Sequence, residues 1–96
     1  MRICFFGDSI VNGTGDDDAL GWVGRVMAVA RGKRLDVTYY NLGIRRDTSA
    51  DIAQRWRAEA GKRFPPESRK WLAFSFGTND RTSDPHGGPA CRMLRL

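Results

Sequence analysis

The fold is decided by residues 3–9, which read ICFFGDS: an apolar run stops on a glycine and is followed by an acid and a hydroxyl. Four consecutive apolar residues closed by a glycine are typical of a strand that is buried on both faces, the usual state of a strand in a parallel sheet. We therefore expect residues 3–7 to form the central strand of an α/β domain.

Two further segments repeat this pattern at regular spacing. Residues 35–43 (LDVTYYNLG) and 71–77 (WLAFSFG) are rich in β-branched and aromatic residues, and each ends on a glycine. The strand-ending glycines at positions 7, 43 and 77 lie 36 and 34 residues apart, which suits consecutive βα units with right-handed crossovers. The three strands should therefore end at one edge of the sheet, where open α/β sheets bind ligands.

The segments between the strands carry apolar residues at helical spacing. The two predicted helices lie within residues 20–33 and 45–61. In the second, Thr48 and Asp51 have the spacing of a capping box, and Gly61 is expected to end the helix. The predicted order is therefore β-α-β-α-β, an α/β fold with a parallel sheet.

The chain changes character at about residue 81. Residues 82–96 (TSDPHGGPACRMLRL) show no helix or strand period, so we expect an irregular, flexible tail after a domain that covers residues 1–81. Three parallel strands with two helices leave a sheet edge and part of one face uncovered. We expect that the chain is a shortened form of a larger fold, ended either by a change of reading frame or by a deliberately chosen end point. An oligomer or swapped dimer through the open edge is the expected assembly.

Length and composition set further limits. A chain of 96 residues builds one small core. Sixteen Lys and Arg against eleven Asp and Glu give a net charge of +5, but the arginines are scattered, which disfavours a dedicated nucleic-acid groove. The two cysteines, Cys4 and Cys91, lack metal-site spacing, so we expect reduced thiols and no metal or cofactor. With no signal peptide and no apolar membrane span, a cytoplasmic location is expected.

Three short motifs follow the predicted strands: GDSI (residues 7–10), NLG (41–43) and GTND (77–80). In order, spacing and context they resemble the amino-terminal part of the SGNH (GDSL-type) hydrolases, over residues 1–81. One Gly-Asp-Ser is weak evidence, because it occurs by chance in many chains, but three motifs at three strand ends are specific. The resemblance implies a three-layer, flavodoxin-like parallel sheet in a partial version. It also implies an esterase or lipase.

Serine-ester chemistry accounts for these residue types. A serine hydroxyl becomes a nucleophile when a base takes its proton and donors stabilise the oxyanion that forms. Ser9 offers its hydroxyl and backbone N–H, Gly43 an unshielded backbone N–H, and Asn79 a side-chain NH2. The residues that match them in the family are nucleophile and oxyanion-hole donors. We therefore expect cleavage of acyl or acetyl esters of small molecules, through an acyl-enzyme on Ser9.

Each of these residues also has a structural interpretation. Ser9 can be a helix cap, Gly43 a strand end and Asn79 a turn residue. Because Val11 stands where the nucleophile-elbow motif has its second glycine, a sharp strand–nucleophile–helix turn is not implied. Two acidic neighbours of the motif residues are interpreted structurally. The aspartate before Ser9 is expected to order its turn by accepting N–H groups, whereas Asp80 either shapes the Asn79 loop or caps a following helix.

The catalytic base is the part that the sequence lacks. The family takes it from an Asp-x-x-His motif near the carboxyl terminus, which nothing here matches. The one histidine, His86, follows Asp84 by two residues rather than three. An imidazole beside a carboxylate is a suitable base near neutral pH, so His86 is a candidate base if the tail folds straight back over the site. Without a base, activity is expected to be weak or absent.

Two alternatives to a hydrolase remain. The glycine-rich stretch after the first strand could bind a small anion in a non-catalytic α/β module. It lacks both dinucleotide-binding and P-loop spacing, and the acids at 16–18 would repel phosphate. The excess of arginine could bind nucleic acid, but no recognisable motif accompanies it.

Overall fold

The computed structural model describes residues 1–80 and the backbone of residues 90–95. Its elements are β1 (Arg2–Gly7), α1 (Ser9–Asn12), α2 (Gly21–Gly32), β2 (Thr38–Gly43), α3 (Ser49–Arg63), β3 (Lys70–Phe76) and β4 (Ala90–Arg95). The strands form one sheet in the order β2-β1-β3-β4, in which β2 and β3 run parallel to β1. The predicted α/β fold, with the first strand inside a parallel sheet, is confirmed.

Strand β1 has a buried core on each of its faces. Because successive residues of a strand face opposite sides of the sheet, Ile3 and Phe5 belong to one hydrophobic cluster, and Cys4 and Phe6 belong to the other. The first cluster includes residues of α2 and the second includes residues of α3. The sheet therefore lies between helices, which is the predicted three-layer arrangement.

The segment after β1 is a short helix rather than an open loop. The Asp8 carboxylate accepts the N–H of Ile10 at 3.0 Å, and α1 begins at Ser9. Buried Val11 anchors this helix on the core, and Gly13 ends it in the left-handed conformation. The expected turn-ordering role of Asp8 is confirmed. A strand–helix turn around Ser9, which the motif did not imply, does occur, because a carboxylate cap and a buried valine stabilise it here in place of the elbow's second glycine.

Helix α3 begins where the sequence predicts. Thr48 Oγ1 accepts the N–H of Asp51, and the Asp51 carboxylate accepts the N–H of Thr48. The hydrogen bond from the Thr48 N–H is the main cause that holds the pKa of Asp51 below its ordinary value, and the hydrogen bond from the Thr48 hydroxyl is the second. The helix continues past Gly61 to Arg63, so the predicted end was wrong. A helical glycine costs only roughly 0.5–1 kcal/mol, whereas Pro65 disfavours helical backbone in the residue before it.

The end of the chain differs from the expected irregular tail. Strand β4 pairs antiparallel with β3, so the prediction was wrong for residues 90–95. The free edge of β3 supplies ladder partners, and such tertiary pairing leaves no periodic signal in the sequence. Residues 81–89, which include His86, and residue 96 lie outside the part of the chain that the structure describes.

The two outer strands of the described sheet are β2 and β4. The expected oligomer or swapped dimer through an open edge therefore has two candidate edges, and it stays a prediction. Within the described part of the chain, none of the helices has the length and apolar character needed to cross a membrane.

The buried thiol of β1 predicts a pH dependence of stability. Burial raises the pKa of Cys4 from 9.0 to about 11, with a smaller lowering by the charge of Arg63 and a small raising by Glu59. The folded protein therefore holds this proton more tightly than the unfolded chain. This contribution to stability is complete below pH 9 and is lost as the pH rises from 9.0 towards about 11.

We expect the free energy of unfolding in urea to fall across this alkaline window in the wild type, and to fall less in Cys4→Ala. The variant serves as the control for the other groups that titrate there. An equal decline in both proteins would contradict the assignment.

Candidate active site

Ser9 lies at the first position of α1, directly after β1. Its carbonyl oxygen accepts the N–H groups of Gly13 and Thr14, both at 3.0 Å, which fixes the backbone of the turn. Within residues 1–80 the Ser9 hydroxyl has no hydrogen-bond partner, and the residue is partly exposed. The serine is therefore held on a fixed backbone, and the residues that the structure describes do not cover it completely.

Gly43 is the last residue of β2 and is the register partner of Gly7. Its backbone lies against the turn that carries the serine. A Cβ at position 43 would collide with the amide nitrogen of Asn12 and would lie 2.8 Å from the carbonyl oxygen of Asp8. Only glycine permits this close approach, so Gly43 and the Ser9 turn are direct neighbours.

The N–H of Gly43 already has an acceptor. It donates to Asn41 Oδ1 at 3.0 Å, so an oxyanion at this N–H would have to replace a neutral amide oxygen. Hydrogen bonds to charged acceptors are roughly twice as strong as those to neutral ones, so the exchange favours the oxyanion.

Two asparagine side chains join the end of β2 to α1. Asn41 Nδ2 donates to the carbonyl oxygen of Val11 at 2.8 Å, and Asn12 Nδ2 donates to that of Gly43 at 3.3 Å. No structural or catalytic role was predicted for either asparagine. The signal was an asparagine inside a strand, where this residue type is disfavoured unless its side chain is needed.

Asn79 lies in the loop after β3, and two contacts hold this loop. Asn79 Nδ2 donates to the carbonyl oxygen of Asp47 at 3.0 Å. The Asp80 carboxylate accepts both the N–H and the hydroxyl of Ser49, each at 2.8 Å. Asp80 thus holds the Asn79 loop in place, which is one of the two roles that the sequence left open. The helix that it contacts precedes it in the chain, so the other prediction, that it caps a following helix, is not what these contacts show.

The three predicted site residues that the structure describes therefore lie at one edge of the sheet, although they are not equally close to one another. Ser9 and Gly43 are neighbours, and Asn79 is tied to the loop that follows β2. Among the described residues no hydrogen bond joins Ser9 to Asn79, and His86 lies outside them. The nucleophile and oxyanion-hole roles stay predictions.

Arg55 of α3 is a residue of this edge that the sequence analysis missed. Its side chain is only 16% exposed, and its Nε and Nη1 donate to Asp47 at 2.7 Å and to Glu59 at 2.6 Å. Its Nη2 donates to the carbonyl oxygens of Leu42 at 2.8 Å and Gly7 at 3.3 Å. One guanidinium thus contacts the ends of both β1 and β2.

A signal for Arg55 was present in the sequence. It lies three residues after buried Ile52 and next to Trp56, which packs on the same core, so it occupies the core-facing side of α3. An arginine there needs partners, because an unpaired buried charge is costly. Glu59, one helical turn further on, and Asp47, just before the capping box, are the acidic partners that it has.

The loop before α2 bears on the anion-binding alternative. Asp16 accepts the N–H of Gly21 at 2.7 Å and that of Asp18 at 3.1 Å, and it pairs with Arg25 at 2.9 Å. The Gly21 N–H is the main cause that holds the pKa of Asp16 below its ordinary value. An aspartate thus occupies the place at the start of α2 where a phosphate would bind, which disfavours that alternative.

Comparison with known proteins identifies the family. The sequence model of the GDSL-like Lipase/Acylhydrolase family matches residues 5–94. The chain belongs to this family. The match confirms the predicted resemblance and extends it beyond residue 81, where it was expected to end.

Solved structures agree with this assignment. The SGNH-hydrolase family esterase AlinE4 matches this GDSL-like chain with a TM-score of 0.68 and 25% identity, over 82% of this chain and 41% of AlinE4. A point mutant of AlinE4 gives the same values. This chain therefore spans about two fifths of the length of those structures. No curated protein sequence matches it.

The close approach at Gly43 predicts opposite effects for two glycine-to-alanine changes. Gly43→Ala should lower the free energy of unfolding by about 1–3 kcal/mol, because its Cβ meets backbone atoms that cannot give way. Gly61→Ala, where a Cβ meets nothing within 4 Å, should raise it by roughly 0.5 kcal/mol. Urea unfolding of both variants measures the difference. A Gly43→Ala protein as stable as the wild type would contradict the packing.

Proposed function

We propose that this GDSL-like hydrolase cleaves acyl or acetyl esters of small molecules through an acyl-enzyme on Ser9. The observation that carries the proposal is the packing of Gly43 against residues 8–12. It makes the serine the neighbour of a backbone that has no side chain to shield it. The family match and the likeness to an esterase support the same reaction class.

In the proposed reaction, Ser9 Oγ attacks the ester carbonyl carbon while a base takes its proton. The carbonyl π electrons move onto oxygen, and the N–H groups of Ser9 and Gly43 and the NH2 of Asn79 stabilise the oxyanion. Its collapse expels the alcohol, which takes the proton from the base. Water then attacks the acyl-enzyme in the same way, which releases the acid and restores Ser9.

The donors are not equally ready for this task. Gly43 N–H exchanges Asn41 for the oxyanion, as described above. Asn79 Nδ2 uses one N–H on Asp47, and within the described part of the chain the other N–H has no acceptor. We therefore assign the second N–H of Asn79 to the oxyanion.

The sequence does not match the Asp-x-x-His motif that supplies the base in the family, so the proposal expects weak activity from the 96-residue chain. Hydrolases that lose their catalytic triad still retain roughly 10³–10⁴-fold acceleration over water, from the oxyanion hole and from substrate binding. This residual acceleration needs no nucleophile, so we expect the 96-residue chain to exceed it while staying well below a complete esterase.

Hydrolysis of p-nitrophenyl acetate by the wild type, Ser9→Ala and Ser68→Ala tests the proposal. Ser68 lies before β3, at the opposite end of that strand from the site, and serves as the matched control. We expect Ser68→Ala to match the wild type. Ser9→Ala should be slower than the wild type and form no acyl-enzyme, but it should stay faster than buffer alone, because the oxyanion hole and substrate binding remain. Equal rates for the wild type and Ser9→Ala would contradict the proposal.

The same assay addresses His86. Because the Asp-x-x-His motif is not matched, we expect His86→Ala to keep the wild-type rate. A fall to the level of Ser9→Ala would instead make His86 the base.

A further inference from the structure

One peptide unit has Arg55 at one end and the predicted oxyanion donor at the other. Arg55 Nη2 donates to the carbonyl oxygen of Leu42 at 2.8 Å, and the same peptide group carries the N–H of Gly43. Because a trans peptide is planar, its C=O and N–H point in opposite directions. A hydrogen bond that fixes the carbonyl oxygen therefore also fixes the direction of the N–H.

We propose that Arg55 is a positioning residue for the reaction proposed above: it orients and polarises the Leu42–Gly43 peptide, so that the Gly43 N–H faces the oxyanion. This inference rests on the proposed function, in which that N–H is a donor. Arg55 itself touches neither the substrate nor Ser9. A cationic donor on the carbonyl oxygen draws electrons from the peptide and strengthens the N–H as a donor, since hydrogen bonds in a chain reinforce one another.

The other contacts of Arg55 reach the remaining two segments of the site. Its Nη2 also lies 3.3 Å from the carbonyl oxygen of Gly7, directly before the Asp8 turn. Its Nε pairs with the carboxylate of Asp47, whose carbonyl oxygen holds Asn79. One side chain is thus linked to the segments that carry all three predicted site residues.

The surroundings hold Arg55 in a single position. Asp47 is 9% exposed, Glu59 binds the other side of the guanidinium, and the ring centroid of Phe6 lies 5.5 Å from its central carbon. Planar donors at fixed angles serve several acceptors at once. Lysine is a compact point charge and cannot reproduce this fork.

The test compares Arg55→Lys with Arg57→Lys in the full 96-residue chain. Arg57 lies on the same helix but is exposed, with its guanidinium 5.0 Å from the Trp56 ring centroid, and it serves as the matched control. Arg55→Lys keeps a positive charge beside Asp47, which favours folding. The readouts are the NMR amide signal of Gly43 and the kcat and KM for p-nitrophenyl acetate.

We expect Arg55→Lys to move the Gly43 amide signal far more than Arg57→Lys does. It should lower kcat on the order of ten- to a hundredfold and leave KM nearly unchanged, because orientation acts in the transition state. A folded Arg55→Lys protein that keeps the wild-type Gly43 signal, or the wild-type kcat, would overturn the inference. So would a rise in KM at constant kcat.

Failure of the proposed function gives a different result. In that case Ser9→Ala hydrolyses the ester as fast as the wild type does, and Arg55→Lys shifts the Gly43 signal without changing any rate. This pattern refutes the catalytic role of the site, and with it the positioning role, while the contact between Arg55 and Leu42 stands.

A measurement on the wild type covers the case in which Arg55→Lys does not fold. Bonds from Nε, Nη1 and Nη2 to four different residues should stop rotation of the guanidinium, so that its protons give separate, slowly exchanging NMR signals. A single averaged signal for Arg55 would overturn the inference.

Discussion

The carboxyl edge of this sheet depends on the hydrogen bonds from Arg55 to the carbonyl oxygens that end β1 and β2. Strand ends leave backbone groups that need partners, and buried carbonyl oxygens without them are costly. A cation buried at that point is costly too, unless carboxylates and acceptors surround it. Here Asp47 and Glu59 supply the charge and the two carbonyl oxygens supply the remaining acceptors. The two carboxylates and the two carbonyl oxygens thus offset the desolvation of the guanidinium, and the guanidinium offsets theirs.

This arrangement explains why the predicted site residues lie at this edge. Buried β1 brings Gly7 to the sheet edge between two helical layers, and the absence of a Cβ at Gly43 lets β2 end against the same turn. The Asp80 carboxylate, in the loop after β3, accepts the N–H of Ser49 at the start of α3. These contacts fix the backbone of the edge in the absence of a ligand, which is the kind of preorganisation that the proposed oxyanion stabilisation needs.

Most of the fold could be predicted from the sequence because its signals are local. The run at residues 3–7 and the capping box at Thr48 each follow from the chain within a few residues, and the regular spacing of the strand-ending glycines puts the local elements in order. Strand β4 and the end of α3 were missed because they depend on pairing with β3 and on the balance between Gly61 and Pro65. Such tertiary effects override local patterns.

The candidate site divides in the same way. Ser9, Gly43 and Asn79 follow strand ends, so their common edge could be predicted. The supports could not, because Arg55 lies twelve residues beyond Gly43 and reaches it only through a packed helix. Asn41 belongs to this class as well, since its amide joins β2 to α1 across thirty residues of sequence.

The proposed reaction requires that the N–H of Gly43 and the side-chain NH2 of Asn79 point to a common place beside the hydroxyl of Ser9. A crystal structure of the 96-residue chain would measure the positions of Ser9 Oγ, Gly43 N and Asn79 Nδ2 most directly. We predict that one oxygen atom, placed next to Ser9 Oγ, would lie about 3 Å from both nitrogen atoms. Nitrogen atoms that face separate surfaces, with no common point in reach of Ser9, would contradict the account.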